Sequence, residues 1–164
     1  MRLLAVLLLL SSPAFAESYT ETPPIITGII DAARAECIAE VAAIDPNAPK
    51  PELIVEHGAI TWTDLDGEGG ANDTVIDFNM ILCSGAYSLW HHTGGSAVHF
   101  VLNGEIAKEW SGANWRVTEF FGAPLILIAR HGTWCGGYGA RPCVEAVIAN
   151  EGEFLTVREF EDEG

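Results

Sequence analysis

The sequence has 164 residues, of which 49% are hydrophobic and 19% are charged. Acidic side chains outnumber basic ones by 23 to 8, which gives a formal net charge of −15 at pH 7. A surface this negative repels phosphate groups, so the composition excludes a nucleic-acid-binding protein and disfavours binding to anionic lipid head groups.

Residues 1–16 have the pattern of a secretory signal peptide. Met1-Arg2 is a short positive start, residues 3–10 form an unbroken apolar run, and residues 14–16 are a small-x-small cleavage site. The apolar run is too short to span a bilayer, and no second one follows. We therefore expect cleavage after Ala16 and export to the periplasm or the extracellular space without a membrane anchor. A buried N-terminal helix is the alternative.

The next segment predicts one amphipathic helix. From Ile26 the apolar positions recur at intervals of three or four residues (Ile26, Ile30, Ala33, Cys37, Val41), which places them on one helical face. The helix is expected to end near Asp45-Pro46, where a proline-rich linker covers residues 45–51.

The rest of the chain predicts strands and turns. Residues 74–82 alternate in hydropathy, which indicates a half-buried strand with one apolar face (Ile76, Phe78, Met80, Leu82). Residues 97–102 form another strand, followed by the hairpin pair Asn103-Gly104. Residues 125–128 are apolar on both faces and predict a central strand, and residues 144–148 and 154–157 predict a closing hairpin around residues 150–152.

These elements predict an α+β fold in which one N-terminal helix packs on a mainly antiparallel meander β-sheet. Residues 17–164 are long enough for a single globular domain. Segments 17–24 and 159–164 are polar or acidic, and we expect them to be mobile.

Four cysteines in an exported chain predict two disulfides, for which three pairings exist. Cys135 and Cys143 lie in a glycine-rich loop that can close a local bridge, which leaves Cys37 with Cys83. The apolar face of the 74–82 strand consists of even-numbered residues, so in a regular strand Cys83 would point to the opposite face. A Cys37–Cys83 bridge therefore needs either a bulge in the strand or a helix that packs on that opposite face. A four-cysteine zinc site is disfavoured because no C-x2-C pair is present.

Residues 64–73 concentrate acidic side chains in a glycine-rich segment. The candidate ligands stand at positions 1, 3, 5, 9 and 10 of the segment (Asp64, Asp66, Glu68, Asn72, Asp73). Calcium takes about six to eight oxygen ligands, and alternate residues of a tight loop can direct carboxylates at one point. We therefore predict a calcium site, with the Gly70 carbonyl as a backbone ligand. A plain acidic turn is the alternative, because Asp-Gly pairs form turns by themselves.

The loop resembles known calcium loops but is not an EF-hand, since position 12 is Val75 instead of glutamate. The D-x-D-G-x-G segment is similar to the calcium loops of FG-GAP and dockerin-like extracellular repeats. More widely, the layout resembles uncharacterised exported proteobacterial proteins with a D-x-[DN]-G-D-G-x-x-D loop and an HG-x-x-CG-x-G-x-x-x-C element. The corresponding parts here are Cys37, residues 64–73, Cys83 and residues 131–143. The resemblance implies no enzymatic activity.

The chain departs from this pattern in three places. The fifth loop position is Glu68 instead of aspartate, and the last acid, Asp73, comes one residue late. Where such proteins often carry a C-G-x-G-G-C bridge, residues 91–96 here contain no cysteine.

Other constellations are weaker. His91, His92 and His99 suggest zinc, but neighbouring residues of a strand face opposite ways. We assign no catalytic residue, because no nucleophile elbow or H-E-x-x-H motif is present; an enzyme of unidentified class stays an alternative. Five tryptophans favour core packing over a sugar-binding surface.

A further alternative is an acidic binder or inhibitor of a basic protein such as lysozyme. The strong negative charge would steer such a partner to the chain. Residues 83–87 resemble the Ser-Gly-x-x-Tyr loop of periplasmic lysozyme inhibitors, although the spacing is one residue short.

Overall fold

The computed structural model describes residues 22–139 and 141–157. The expected signal peptide, most of segment 17–24 and the 159–164 tail lie outside these residues. The elements, in chain order, are α1 (Pro24–Ile44), β1 (Leu53–Val55), β2 (Ile60–Thr63), β3 (Asp73–Asp77), β4 (Ile81–Cys83), β5 (Ser96–Leu102), β6 (Ile106–Gly112), β7 (Asn114–Phe120), β8 (Ala123–Ala129), β9 (Val144–Asn150) and β10 (Glu153–Thr156).

The predicted helix is confirmed as α1. It starts at Pro24, where the missing N–H of proline costs no hydrogen bond, and ends before the extended residue Asp45. Its buried side chains share the predicted face (Ile26, Ala33, Cys37, Val41). Among the described residues, no helix has the length and apolar character that a membrane crossing requires.

The predicted α+β class is confirmed, with the strands divided among three antiparallel sheets. One four-stranded sheet has the order β2-β3-β5-β6, a second has the order β10-β9-β8-β7, and β1 pairs with β4. The predicted strand at residues 125–128 lies within β8, which is central in its sheet, and the closing hairpin is β9–β10.

The β2-β3-β5-β6 sheet is the middle of three layers. Val75 and Phe100 pair across β3 and β5 and face the second sheet, where they join Ile126 in one core. The next pair, Ile76 and His99, faces α1, and Ile76 belongs to a second core under the helix. Because both faces of the sheet are covered, all five residues of β3 are buried.

The prediction of one continuous strand over residues 74–82 is wrong. β3 ends at Asp77, a 3₁₀ turn covers Phe78–Met80, and β4 continues into a different sheet. The Asp77 carboxylate accepts a hydrogen bond from the backbone N–H of Asn79 at 2.9 Å. This local bond replaces a strand-to-strand bond and bends the chain.

Both predicted disulfides are confirmed, Cys37–Cys83 and Cys135–Cys143. The 3₁₀ turn supplies the irregularity that the parity of Cys83 required. β4 therefore presents Cys83 to α1, and the bridge joins the helix to the β1–β4 sheet.

Candidate metal site

The 64–73 loop connects β2 to β3 and is anchored at both ends. Leu65 is fully buried in the core between the two four-stranded sheets, whereas residues 67–72 are exposed. Gly67 packs tightly against β8: a Cβ atom at this position would lie 2.9 Å from Cδ of Pro124. The loop also needs positive φ angles of 81° to 91° at Gly67, Gly69 and Gly70, which glycine adopts without strain.

Asp73 closes the base of the loop. Its side chain is buried, and Oδ2 accepts a hydrogen bond from the backbone N–H of Leu65 at 2.7 Å. Its other oxygen, Oδ1, accepts the backbone N–H of Asn103 at 2.8 Å. Since Asn103 lies in the β5–β6 turn, this one carboxylate joins the loop to a neighbouring hairpin.

Asp64 and Asp66 organise the exposed part of the loop. The two oxygens of Asp64 accept the backbone N–H groups of Gly67 at 2.7 Å and Gly69 at 3.2 Å. Asp66 Oδ1 accepts the N–H of Glu68 at 3.0 Å. A carboxylate offers about four lone-pair sites, so each of these groups retains capacity for a cation.

The carboxylates of Asp64, Asp66 and Asp73 converge on one point. One oxygen from each lies within 4.8 Å of the other two. Oxygens that share one calcium ion at about 2.3–2.6 Å are at most roughly 5 Å apart, so this spacing suits a common ion. Two unit charges about 4 Å apart repel by about 1 kcal/mol in water and about 4 kcal/mol near a protein surface. A bound cation would remove this repulsion.

The structure thus brings together three of the five predicted ligands. Glu68 is exposed and lies outside the group of three carboxylates. Asn72 donates a hydrogen bond from Nδ2 to the Gly69 carbonyl at 3.4 Å and lies beside Gly70. Glu68, Asn72 and the Gly70 carbonyl stay predicted ligands.

Sequence reasoning missed two residues of the loop framework. Leu65 could have been recognised, because an apolar side chain stands alone among acids and glycines. Asn103, whose Nδ2 lies 3.5 Å from Asp66 Oδ2, is 37 residues away in sequence. No local sequence pattern connects Asp66 with Asn103, so only the fold reveals the contact between these two residues.

The histidines do not form the zinc site that their spacing suggested. His91 Nε2 lies 3.1 Å from the Ile81 carbonyl, whereas His99 faces α1. Within residues 22–139 and 141–157, the three aspartates are the one group of at least three His, Cys, Asp or Glu side chains with converging ligand atoms. His131 Nδ1 lies 2.8 Å from the Thr133 hydroxyl. This contact joins His131 to the short 3₁₀ turn that follows it, Gly132–Cys135.

The tryptophans mostly serve the core. Trp90 and Trp110 are buried and Trp115 packs against the core, whereas Trp62 and Trp134 are exposed. Tyr87, in the loop that resembles lysozyme inhibitors, is also exposed. Binding of a sugar or of a basic protein stays a prediction.

A cleft of about 380 Å³ lies between α1 and strands β5 and β6. His99, Glu36 and Glu109 line it. Burial lowers the pKa of His99 below its ordinary value of 6.5, and Glu109, with Oε2 at 3.8 Å from His99 Nε2, offsets only part of this shift. His99 is therefore neutral at pH 7. A perturbed histidine in a cleft is a common feature of ligand-binding sites.

Glu145 is the second group with a shifted pKa. Burial opposes its ionisation and is the largest single influence, but hydrogen bonds from Arg130, Thr156 and Trp110 together outweigh it. The pKa of Glu145 therefore lies below its ordinary value of 4.5. This partly buried network joins β9 to β6, β10 and the residue that follows β8.

No protein-family model, curated protein sequence or solved structure matches the chain. Any functional conclusion therefore depends on the geometry and the chemistry of these sites.

Proposed function

We propose that this chain is a non-enzymatic exported domain in which residues 64–73 bind a structural calcium ion. The observation that carries the proposal is the convergence of carboxylate oxygens from Asp64, Asp66 and Asp73 within 4.8 Å. Hard carboxylate and carbonyl oxygens are the ligands that calcium prefers. Glu68 and Asn72 are close enough in sequence to complete the coordination shell.

Export has two supports that do not depend on the ion. The N-terminal sequence has the three parts of a signal peptide. The two disulfides indicate an oxidising, non-cytoplasmic compartment. Extracellular calcium modules bind at about 10⁻⁴–10⁻³ M, and we expect an affinity in this range.

The ion would act on stability. Its two positive charges offset most of the charge of three crowded carboxylates, and it reinforces the connection that Asp73 makes between the loop and the β5–β6 turn. Ligand at 100 times its dissociation constant adds about 2.7 kcal/mol to the free energy of unfolding. For a domain of this size, the midpoint of thermal unfolding should rise by several degrees.

The test is thermal unfolding of the mature protein in calcium, magnesium and EDTA, with Asp66→Asn as the main variant. Asparagine retains the oxygen that accepts the Glu68 N–H but removes the charge. The loop should therefore fold, while the rise in midpoint should require a higher calcium concentration because the amide oxygen is a weaker ligand than a carboxylate. Glu68→Gln then reports whether Glu68 is a ligand.

The matched control is Asp45→Asn, because Asp45 Oδ1 accepts the N–H of Asn47 at 2.9 Å in the same kind of turn, outside the loop. This variant should keep the full response to calcium. Identical unfolding curves of the wild type in calcium and EDTA would refute the calcium site. So would an Asp66→Asn variant whose midpoint rises at the same calcium concentration as that of the wild type.

A further inference from the structure

The cleft between α1 and the middle sheet has the size and composition of a small binding site. Its volume, about 380 Å³, falls in the range of ligand pockets, about 300–1,000 Å³. Space exists because alanines stand where the helix and the sheet face each other: Ala32 and Ala33 on α1, and Ala97 on β5.

Three rings line the cleft in fixed positions. Phe78 makes an edge-to-face contact with Trp90 at 5.4 Å between ring centroids and a tilted contact with His99 at 5.2 Å. The indole N–H of Trp90 donates to Glu36 Oε2 at 3.0 Å, which holds both side chains in place. Aromatic faces attract cations through their quadrupole.

Within the part of the chain that the structure describes, the charged groups that line the cleft are negative. Glu36 approaches from α1 and Glu109 from β6, and no lysine or arginine is among the described residues that line the cleft. His99 Nε2 lies 3.8 Å from Glu109 Oε2, and burial lowers the pKa of His99, which favours its neutral form at pH 7. Glu109 is half exposed, so its carboxylate stands at the mouth of the cleft. Two carboxylates beside aromatic rings suit a ligand that carries positive charge on an apolar stem.

We propose that this cleft binds an alkylammonium group, with the charge between Glu36 and Glu109 and the stem against Phe78 and Trp90. The same chemistry occurs in a free amine and in a lysine side chain of a peptide or protein. The proposal is independent of the calcium site, which lies in the loop between β2 and β3.

The test titrates the mature protein with n-butylamine and with Nα-acetyl-lysine amide, and uses 1-butanol as the uncharged control. The readout is the indole N–H resonance of Trp90, assigned from the spectrum of Trp90→Phe. We expect a saturable shift with a dissociation constant in the millimolar range for at least one of the two amines. A preference between them tells whether the ligand is a small molecule or a side chain.

Variants locate the site. Glu36→Gln and Glu109→Gln should each weaken binding about threefold, and the double variant about tenfold, because each removes one ion pair at a partly exposed position. Ala32→Leu should abolish binding by filling the cleft. Glu40→Gln and Ala35→Leu are the matched controls: both residues are exposed on α1 and neither lines the cleft.

Three results would overturn the proposal. The first is no saturable shift with either amine up to about 50 mM, well above the expected dissociation constant. The second is an equal shift with 1-butanol, which would indicate a merely apolar pocket. The third is unchanged amine affinity in the folded double glutamine variant or in Ala32→Leu.

Discussion

Asp73 illustrates how one side chain can have two roles in the loop. Both of its oxygens accept backbone N–H groups, from Leu65 and Asn103, and one of them also belongs to the converging group of carboxylates. Removing this buried acceptor would leave two N–H groups unpaired, at a cost of about 1–3 kcal/mol each. Asp73 variants therefore cannot separate ion binding from folding, whereas Asp66 variants can.

His99 should make stability depend on pH. Burial lowers its pKa in the folded chain, so the unfolded chain takes up the proton first as the pH falls. Stability is therefore complete above about pH 6.5 and decreases below it. We expect His99→Gln to show a smaller loss of unfolding free energy between pH 7.5 and pH 5.5 than the wild type, measured by urea unfolding.

The control for this measurement is His57→Gln, because His57 is exposed and lies outside the cleft. Its pH dependence should match that of the wild type. A His99→Gln variant with the same slope as the wild type would contradict the prediction.

At the level of elements, the irregular segment between β3 and β4 connects the layers. Asp77, the last residue of β3, accepts the N–H of Asn79 and also the indole N–H of Trp115, at 2.9 Å. Trp115 lies in β7, so this carboxylate joins the two four-stranded sheets. Asn79 in turn donates to the Gly112 carbonyl at the end of β6. The break between β3 and β4 is thus held by the hydrogen bonds of Asp77 to β7 and of Asn79 to β6.

Three hairpin turns share a left-handed backbone at two consecutive positions but place different residues there. Asn103-Gly104, Phe121-Gly122 and Glu151-Gly152 all have positive φ at both positions. Asparagine suits the first position of such a turn, whereas a left-handed conformation is unfavourable for a bulky side chain. Phe121 is also 95% exposed, so burial contributes almost nothing in return.

Replacing Phe121 with Asn should therefore stabilise the protein. We expect a gain of about 0.5–1 kcal/mol in the free energy of unfolding, measured by urea unfolding, because the left-handed backbone costs less for asparagine. Glu151→Asn, in the equivalent turn, should also be stabilising. A loss of stability in Phe121→Asn would mean that the edge-to-face contact of Phe120 and Phe121, at 4.6 Å, outweighs the backbone strain.

For the whole molecule, the three-layer arrangement requires the helix to be fixed to strands that are distant in sequence. The Cys37–Cys83 bridge has a sequence separation of 46, whereas Cys135–Cys143 has a separation of 8. Cys37 and Cys83 are also fully buried under α1. The first bridge therefore constrains the unfolded chain more and adds packing in the folded one.

Replacing each cysteine pair with alanine should separate the two contributions. In the chain-entropy model, loss of Cys37–Cys83 costs about 4 kcal/mol and loss of Cys135–Cys143 about 2.5 kcal/mol. Chemical denaturation of the two double variants, each with the other bridge intact, measures the difference. If loss of Cys135–Cys143 costs as much unfolding free energy as loss of Cys37–Cys83, or more, the local bridge stabilises its loop in a way that chain entropy does not describe.

The sequence by itself determined the helix, the β5–β6 and β9–β10 hairpins and the central strand β8. It favoured one of the three possible cysteine pairings, and the structure contains that pairing. These features depend on apolar spacing, turn residues and short loops, which act locally. Sequence also indicated that acidic side chains gather in residues 64–73. The fold brings together the carboxylates of three of these residues, Asp64, Asp66 and Asp73.

Only the tertiary structure decided how the strands divide into three sheets and where the 74–82 segment breaks. It also decided that Asn103 contacts the acidic loop and that His99 lies in a cleft with Glu36 and Glu109. Each of these depends on residues that are far apart in the chain and meet only when the two cores form. Alternating hydropathy along a strand indicates which residues share a face of the sheet. It does not indicate which layer of the fold will cover that face.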